Sequence, residues 1–336
     1  MINNILNNNS NIDIKSLFHP DANSCVSSHL IRMEYKAGDI VLHEGENATG
    51  IFVIESGAID ICSKLPGKNS YIVFEKMKSG DFFGEVSSMD LKPAWNSAIA
   101  KKDSVCYILP ANILHALMLV NPSSMLDLIG PMSFLVSGRI RGIIDKIRNE
   151  KLILPSLCDF KIKKNNKDKK NKNAFIKQKL NSNYLKNLHE MPIFRRFEIK
   201  QIKSIVSHFE ILKFPKNTLI REEGVDSEEA FYVIKGALQT FINIKSKTMK
   251  LTVIGPGAIA FLMAFIDEGV NPSSCFAREE TIVLRIDKKM LASLEKSHRL
   301  LHDRLKIRLY SDIPRSFRKF MMHYLFAKSI KDLHLL

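Results

Sequence analysis

The sequence predicts an α+β protein, mainly β, in which two strand-rich barrels follow one another and helices flank each barrel. Two observations support this prediction. The first is an internal repeat of about half the 336-residue chain, which indicates duplicated domains rather than a solenoid of short units. The second is that each copy begins with short strand-like runs separated by turn residues and ends in helical sequence, which is typical of a sandwich or barrel.

The repeat appears at two offsets along the chain. Residues 35–59 match residues 214–238 at an offset of 179, and further along the offset becomes 177. A two-residue difference in the hairpin loop between these blocks explains the shift, because loops absorb length changes cheaply. The matched pairs are Gly45 and Gly224, Phe52 and Phe231, Gly57 and Gly236, Ala58 and Ala237, Gly80 and Gly257, Ala100 and Ala277, Leu114 and Leu291, and Leu117 and Leu294.

The spacing of apolar residues predicts the individual elements. Strand-like runs in the first copy, separated by glycine-containing turns, are 39–42, 50–54, 58–63 and 71–74. Each copy closes with a strand, at 105–109 and at 282–286. The helices that follow these strands are marked by apolar residues at helical spacing, namely Ile113, Leu114, Leu117, Met118, Met290, Leu291 and Leu294. Further helices are predicted over 123–150 and 184–211.

We divide the chain into two domains with polar or basic segments around them. The predicted parts are a disordered polar N-terminus at 1–20, domain 1 with its C-terminal helices at 21–150, a Lys/Asn-rich linker at 151–182, domain 2 at 183–312 and a basic C-terminal tail or helix at 313–336. No signal peptide is predicted. The longest nearly apolar run, 251–266, is shorter than the roughly 20 residues that span a bilayer.

The net charge of +15 is concentrated in two segments. Residues 139–179 carry fourteen Lys/Arg against four Asp/Glu, and residues 296–331 carry ten against two. Such segments are typical of solvated linkers, and they also attract acidic proteins, nucleic acid or anionic membrane. About 30 residues follow the second repeat, too few for a winged helix-turn-helix, so no sequence-specific DNA binding is expected.

Neither the cysteines nor the histidines form a recognisable metal or catalytic pattern. The sequence has no CxxC, HxxxH or HExxH arrangement, and it lacks phosphate-loop, nucleophile-elbow and kinase signatures. We therefore predict no metal, no cofactor, no catalytic residue and no enzyme activity. The cysteines are interpreted as buried free thiols in a reducing, cytoplasmic compartment, and they are Cys25, Cys62, Cys106, Cys158 and Cys275.

At this point the residues resemble a known family. The strings GDIVLHEGE, GIFVIESGAIDI and GDFFGEV in copy one, and LIREEG and AFYVIKGAL in copy two, are similar to the cyclic nucleotide-binding domain. The resemblance covers about 30–125 (copy one) and 185–300 (copy two), and it extends to the tandem architecture of protein kinase A regulatory subunits. It implies two β-roll barrels, jelly-roll-like double-stranded β-helices, each flanked by N- and C-terminal helices. It also implies a cyclic nucleotide ligand in a phosphate-binding cassette.

In the family, the cassette is a short helix that opens with Phe-Gly-Glu and a loop that carries an Arg. Copy one keeps the opening, but the position of the Arg is Ala94. The resemblance implies a ligand site formed by Phe83, Gly84, Glu85, Val86, Ala94, Trp95, Asn96 and Ser97. A lysine nearby does not replace the guanidinium fork. Two alternatives stay open: Glu85 accepts a ribose hydroxyl or only caps the helix, and Trp95 stacks on a base or packs on the barrel.

Copy two is expected to be degenerate. The 177 offset places Phe261, Leu262 and Asn271 at the Gly, Glu and Arg positions of the cassette. A ribose and an anionic phosphate would find no partners there, and their burial would be costly. We expect this pocket to be filled by its own side chains, or else to take an apolar or peptide partner.

Two functions fit the sequence. The first is a regulatory sensor in which copy one binds a purine nucleoside, or weakly a cyclic nucleotide, and closes against a helix from 123–150. The second is a scaffold that binds a protein partner and no nucleotide, with a secreted bacterial effector as a variant. The Asn- and Lys-rich composition is typical of an AT-rich bacterial or protist genome, and delivery into a host cell is compatible with it.

Overall fold

The computed structural model describes residues 18–19, 24–47, 49–67, 71–152, 175–244 and 247–334. Its internal contacts divide the chain into two compact units. Unit 1 consists of Met1–Gly138 with Pro314–Leu336, and unit 2 consists of Arg139–Ile313. Residues 139–150, expected with the first domain, therefore group with unit 2, and the expected C-terminal tail groups with unit 1.

Seventeen strands and nine α-helices lie within the described residues. The strands are β1 (Ile31–Tyr35), β2 (Ile40–Leu42), β3 (Gly50–Ser56), β4 (Ala58–Lys64), β5 (Tyr71–Lys78), β6 (Phe82–Phe83), β7 (Ser97–Ala100), β8 (Ser104–Pro110), β9 (Ile176–Gln178), β10 (Glu210–Phe214), β11 (Leu219–Arg221), β12 (Glu229–Lys235), β13 (Leu238–Ile244), β14 (Lys247–Ile254), β15 (Ile259–Ala260), β16 (Ser274–Ala277) and β17 (Thr281–Asp287). The helices are α1 (Glu85–Asp90), α2 (Ala111–Val120), α3 (Pro122–Asn149), α4 (Ser182–Glu190), α5 (Ile199–Val206), α6 (Leu262–Asp267), α7 (Lys288–Ser297), α8 (Arg299–Tyr310) and α9 (Ile313–His334).

Unit 1 is built on two antiparallel four-stranded sheets, with strand orders β1-β8-β3-β6 and β2-β7-β4-β5. Their inward side chains alternate with outward ones, as the period of a strand requires. The inner faces form one apolar cluster, which includes Leu42, Phe52, Ile54, Ile59, Ile61, Met77, Phe83, Ala94, Ala98, Ala100 and Cys106. The cassette helix α1 adjoins this cluster through Phe83.

Unit 2 repeats this arrangement with one additional strand. Its sheets have the orders β15-β12-β17-β10-β9 and β11-β16-β13-β14. Strand β9 pairs with the edge of β10, with Leu212 opposite Lys177. This strand lies inside the segment 151–182 that we predicted as a linker. Most of that segment, 153–174, lies outside the described residues, as do 1–17 and 20–23.

The fold class predicted from the sequence is confirmed. The sheets are antiparallel β-rolls flanked by helices, and the predicted strands extend by a few residues at their ends. The helix predicted over 184–211 is instead two helices, α4 and α5, and Ile211 lies in β10. A Glu198–Gln201 capping box begins α5, and a strand follows because residues 210–214 pair with β17.

Glycines occupy the tight corners of both barrels. Gly57 joins β3 to β4 at a φ of +101°, and Gly236 joins β12 to β13 at +85°. A Cβ atom on Gly57 would lie 2.6 Å from the carbonyl oxygen of Asp103, so the backbones approach too closely for any side chain. These corners therefore depend on glycine for both its conformation and its size.

The described cysteines are free thiols. Cys62, Cys106 and Cys275 are buried in strands and Cys25 is partly exposed, while Cys158 lies outside the described residues. Burial raises the pKa of Cys106 to about 12 and also raises the pKa of Cys275.

Burial also raises the pKa of Cys25, but this thiol is only partly buried. Because the thiolate is the reactive form, we expect iodoacetamide at pH 8 to alkylate Cys25 in the folded protein faster than Cys106 and Cys275. Peptide mass spectrometry before and after denaturation measures this. Alkylation of Cys106 as fast in the folded as in the denatured protein would contradict the buried, protonated state.

Candidate functional site

The cassette of copy one opens at a glycine that no other residue can replace. Gly84 adopts a φ of +82°, and a Cβ atom there would lie 2.4 Å from the carbonyl oxygen of Gly50. This close approach lets Phe83 pair with Phe52 across β3 and β6, with the two rings stacked at 4.8 Å. Val86, in the first turn of α1, is fully buried. The cassette helix therefore starts from a rigid point on the barrel wall.

Polar side chains are buried around this helix. Glu85, the first residue of α1, is only 2% exposed. The other buried polar side chains of the cassette are Ser87, Ser88, Asn96 and Ser97. Ser97 accepts a hydrogen bond from the amide of Glu44 at 3.0 Å. Burying polar groups is costly unless they find partners, and Ser87, Asn96 and Ser97 find such partners within unit 1.

Ser63 adds a polar group to the wall opposite the cassette loop. It follows Ile59 and Ile61 of the core cluster in β4, just after an irregularity in the pairing of β4 with β5 between Ile61 and Cys62. Its neighbour Cys62 pairs with Ser97, where the cassette loop enters β7. The Ser63 hydroxyl is fully buried and has no hydrogen-bond partner among the described residues. Sequence reasoning missed this residue, because a single serine in a strand carries no motif.

The position of the family arginine is occupied by a buried alanine. Ala94 packs into the core cluster, its amide donates to Glu46 and its carbonyl accepts from Gly45. Asn271 of copy two makes the same two backbone bonds, with Val225 and Gly224. Because Ala94 and Asn271 make the same backbone hydrogen bonds, they occupy equivalent positions of the two loops. Copy one therefore has no guanidinium at this point of its loop.

Copy two has hydrocarbon at four positions where copy one has polar groups, while its cassette loop keeps buried polar side chains: Ser273 and Ser274 align with Asn96 and Ser97, and Asn271 aligns with Ala94. Phe261 occupies the glycine position at a φ of +63°, and its ring contacts Phe231 at 5.4 Å inside the barrel. The residues that correspond to Glu85, Ser87, Ser88 and Ser63 are buried and apolar, namely Leu262, Ala264, Phe265 and Ile242. Apolar side chains of copy two therefore stand at these four positions around its cassette.

A salt bridge that the sequence analysis missed lies at the end of the cassette helix in unit 1. The guanidinium of Arg318 donates to both carboxylate oxygens of Asp90, at 2.7 and 3.0 Å. It also donates to the carbonyl oxygen of Pro93 at 3.0 Å and to the hydroxyl of Ser87 at 3.3 Å. Such bidentate pairs are stronger than neutral hydrogen bonds.

Unit 2 contains an equivalent salt bridge between Arg141 and Asp267. The offset of 177 aligns Arg141 with Arg318 and Asp90 with Asp267. Arg141 donates to both oxygens of Asp267, at 2.6 and 2.7 Å, and to the carbonyl oxygen of Val270 at 2.8 Å. Arg141, from the predicted helix 123–150, thus binds to the cassette helix of copy two, whereas residues 123–138 group with unit 1; the closure of this helix on copy one stays a prediction. In unit 2, Arg141 and Arg148 donate to the carbonyl oxygens of Val270 and Pro272 in the cassette loop of copy two. In unit 1, Phe317 and Arg318 of α9 contact the cassette of copy one.

Trp95 lies in an aromatic cluster of unit 1. Its ring is 4.9 Å from that of Phe317 and 5.8 Å from that of Phe74, which in turn is 6.0 Å from Tyr324. These edge-on contacts favour the packing hypothesis for Trp95 over stacking on a base. Two of these rings belong to α9, so the C-terminal helix provides part of the surroundings of the cassette loop.

Within the described ranges, no group of three or more His, Cys, Asp or Glu side chains could hold a metal ion. Over the same part of the chain, no helix is long and apolar enough to cross a membrane.

Several arginines of the two basic segments form ion pairs inside the units, namely Arg141, Arg148 and Arg318.

Comparison with known proteins gives two matches to one family model. The model is that of the cyclic nucleotide-binding domain, and it matches residues 32–121 and 211–298, together more than half of the chain. A curated relative, the cAMP-dependent protein kinase regulatory subunit of Hypocrea atroviridis, is 28% identical over 107 residues. The match covers 32% of this chain and 22% of that protein, so the chain spans about a fifth of the relative's length.

Solved structures of similar proteins include a regulatory domain and a regulatory subunit of protein kinase A. The regulatory domain of Toxoplasma gondii protein kinase A with cAMP is 14% identical, with a TM-score of 0.30, and the match covers 90% of each chain. The regulatory subunit of a cAMP-independent protein kinase A from Trypanosoma cruzi bound to guanosine is 12% identical, with a TM-score of 0.31, and the match covers 86% of this chain and 84% of that one.

Proposed function

We propose that the chain is a non-enzymatic regulatory sensor with one working site. The chain belongs to the cyclic nucleotide-binding domain family and carries two copies of that domain, and the proposal starts from this membership. Copy one binds a neutral purine nucleoside through Glu85, and copy two binds no nucleotide. A protein partner receives the signal. The observation that supports this proposal best is the contrast at four positions, where Glu85, Ser87, Ser88 and Ser63 of copy one are buried and polar and Leu262, Ala264, Phe265 and Ile242 of copy two are buried and apolar.

The buried polar groups favour a ligand with hydroxyl and amide groups. An unpaired buried hydroxyl costs about 1–3 kcal/mol, so Ser63 is destabilising unless something binds to it. The isoleucine at the same position of copy two avoids this cost by filling the space with hydrocarbon. A ribose presents neighbouring hydroxyls to a carboxylate such as Glu85, and the edge of a purine presents donors and acceptors to serine and asparagine side chains.

The charge of the cassette favours a neutral ligand over a cyclic phosphate. A buried phosphate monoanion needs a fixed positive partner, and Ala94 stands at the position that would provide one. Glu85 is itself buried and acidic, and it would repel an anion that no cation balances. The same contrast explains why copy two, with Leu262 in place of Glu85, has no partner for the ribose either.

Isothermal titration calorimetry of the full chain with adenosine, guanosine, inosine, cAMP and cGMP tests the proposal. We expect at least one nucleoside to bind and both cyclic nucleotides to bind at least tenfold more weakly. Glu85→Ala should weaken nucleoside binding by about 10- to 100-fold, because hydrogen bonds to a charged group contribute about 1.5–3 kcal/mol. Glu85→Gln keeps the shape and should give an intermediate loss.

Leu262→Ala is the matched control in copy two, and it should leave the affinity within about twofold if copy one holds the only working site. Absence of heat from every ligand would contradict the sensor function and favour a scaffold. Tight cAMP binding that survives Glu85→Ala would contradict the assignment of the site to the cassette of copy one.

A further inference from the structure

We infer that the edge strand β1 of unit 1 is a self-association surface, on which β1 of a second copy of this chain pairs antiparallel about Met33. The pairing joins the β1-β8-β3-β6 sheets of two copies into one continuous sheet across a two-fold axis. It involves neither the cassette nor a nucleoside, so it is tested independently of the proposed function.

Strand β1 lies at the end of its sheet, and the described strands pair it with β8 alone. Since an antiparallel strand directs its main-chain groups alternately to either side, two or three of its five residues direct theirs away from β8. All of β1 except Tyr35 is exposed, including the apolar side chains of Ile31 (49%) and Met33 (42%). An exposed edge of this kind is a template for pairing with another strand.

The equivalent edge of unit 2 already carries an additional strand. Strand β10, which aligns with β1 at the offset of 179, pairs with β17 on one side and with β9 on the other. Leu212, the counterpart of Met33, lies opposite Lys177 of β9 and is 1% exposed. This fold therefore accepts a further strand at this edge, and within the described residues the same edge of unit 1 is open.

The sequence of β1, Ile-Arg-Met-Glu-Tyr, is complementary to itself when it is reversed. In an antiparallel pair centred on Met33, Arg32 of each copy lies opposite Glu34 of the other, and Ile31 lies opposite Tyr35. Opposite charges and apolar–aromatic pairs at directly opposed positions stabilise a sheet. A pair centred on Arg32 or Glu34 instead brings like charges together, so the charges select the register about Met33.

The charged side chains of β1 already share one face of the sheet. Arg32 donates to Glu34 of its own strand at 2.5 Å and forms an ion pair with Glu55 of β3 at 3.4 Å. A second copy adds another Glu34 beside each Arg32, so that two arginines and two glutamates alternate across the axis. A single exposed ion pair contributes little, but such a network contributes more and fixes the register.

The size of the surface predicts a reversible dimer. Five paired residues per copy are fewer than the roughly 20–30 residues on each side of a standard interface, so we expect dissociation in the micromolar range. Strand β10, Glu-Ile-Leu-Lys-Phe, lacks the self-complementary pattern, because Ile211 and Lys213 stand where β1 has Arg32 and Glu34. Unit 2 thus provides a matched control for β1.

Sedimentation velocity on the full chain, from about 5 to about 200 μM, tests this surface. We expect the wild-type protein to show a concentration-dependent equilibrium between monomer and dimer. Arg32→Glu and Glu34→Arg each place like charges opposite one another, and each should weaken the dimer at least tenfold. The double variant with both substitutions restores the pattern in reverse order and should dimerise again. Lys213→Glu, the control in β10, should dimerise like the wild type.

An equimolar mixture of the Arg32→Glu and Glu34→Arg proteins gives a second measurement. Each β1 is repelled by its own copy and complementary to that of the other variant, so a mixed dimer should form. Native mass spectrometry with one variant labelled with nitrogen-15 detects it. Met33→Cys places two thiols opposite each other on the axis and should form an intermolecular disulfide on mild oxidation, whereas Arg32→Cys should not.

Three results would overturn the inference. The first is a wild-type protein that stays monomeric over the whole concentration range. The second is a dimer whose affinity does not change in Arg32→Glu, and the third is a mixture of the two variants that forms no mixed dimer. Either of the last two places the interface elsewhere, as in an exchange of β9 between copies. Circular dichroism establishes that each variant is folded, and Glu34→Arg with Met33→Cys decides the question should Arg32→Glu fail to fold.

Discussion

Gly57→Ala is expected to destabilise unit 1 by about 3 kcal/mol or more. The new Cβ would have to adopt the left-handed backbone region, which costs an L-residue about 1–2 kcal/mol. It would also meet the Asp103 carbonyl oxygen at 2.6 Å and the Ser104 hydroxyl at 2.1 Å. The carbonyl belongs to the backbone, which cannot rotate away as a side chain can. Relief of such overpacking typically costs a further 1–3 kcal/mol.

Urea denaturation followed by tryptophan fluorescence measures this effect. Trp95 is the only tryptophan of the chain and lies in unit 1, so the signal reports on that unit. Gly45→Ala is the matched control: its φ is +87°, but nothing lies within 4 Å of the new Cβ, so only the backbone strain of about 1 kcal/mol remains. Equal urea midpoints for Gly57→Ala and Gly45→Ala would show that the short distance from Gly57 to the Asp103 carbonyl oxygen does not limit the side chain at this position.

Ala94→Arg is expected to convert copy one towards cyclic nucleotides, with the affinity for cAMP rising by about 10- to 100-fold. The substitution returns a guanidinium to the cassette loop, where Glu85 can bind the ribose and the fork can bind the phosphate. One charge-assisted contact of about 1.5–3 kcal/mol accounts for this range. The affinity for adenosine, which has no phosphate, should not rise.

The control for this gain is Asn271→Arg, at the same position of copy two. Because Leu262 and Phe265 leave the ribose without partners there, this variant should gain no cAMP binding. Ala94→Lys should raise the affinity for cAMP less than Ala94→Arg, since the ammonium group is a point charge without the paired donors of a guanidinium. Thermal melting must show that Ala94→Arg stays folded, because Ala94 is 3% exposed in the core cluster. A folded Ala94→Arg protein with wild-type cAMP affinity would contradict the proposed geometry of the cassette.

The barrels were predictable because their constraints are local. Gly57 and Gly236 stand at corners where only glycine fits, and alternating apolar residues predict the strands between them. The prediction of a helix over 184–211 was wrong in its C-terminal part. Apolar residues around 205–214 fit both helical and strand spacing, and only the pairing with β17 decides for a strand. Strand β9 could not be predicted, because Ile176 lies among lysines and asparagines and its pairing with β10 is a tertiary contact.

The candidate site was predictable only where a motif marks it. Phe83, Gly84 and Glu85 follow from the cassette opening, and the loss of polarity in copy two follows from the repeat. Arg318 lies 228 positions from Asp90, and no pattern connects the two in one sequence. The available signal was the repeat itself: continuing the offset of 177 into the helices aligns Arg141 with Arg318, and Asp90 with Asp267.

The composition of the two units also has a genetic consequence. Residues Pro314–Leu336 belong to unit 1 with Met1–Gly138, so a stop codon at position 314 would behave as a lesion of the first domain although it lies beyond the second. Expression of the two halves as separate polypeptides, divided within 153–174, would leave the first half without residues 314–334 and the second without residues 139–149. Destabilising substitutions in residues 24–138 and in residues 314–331 are therefore expected to share one phenotype.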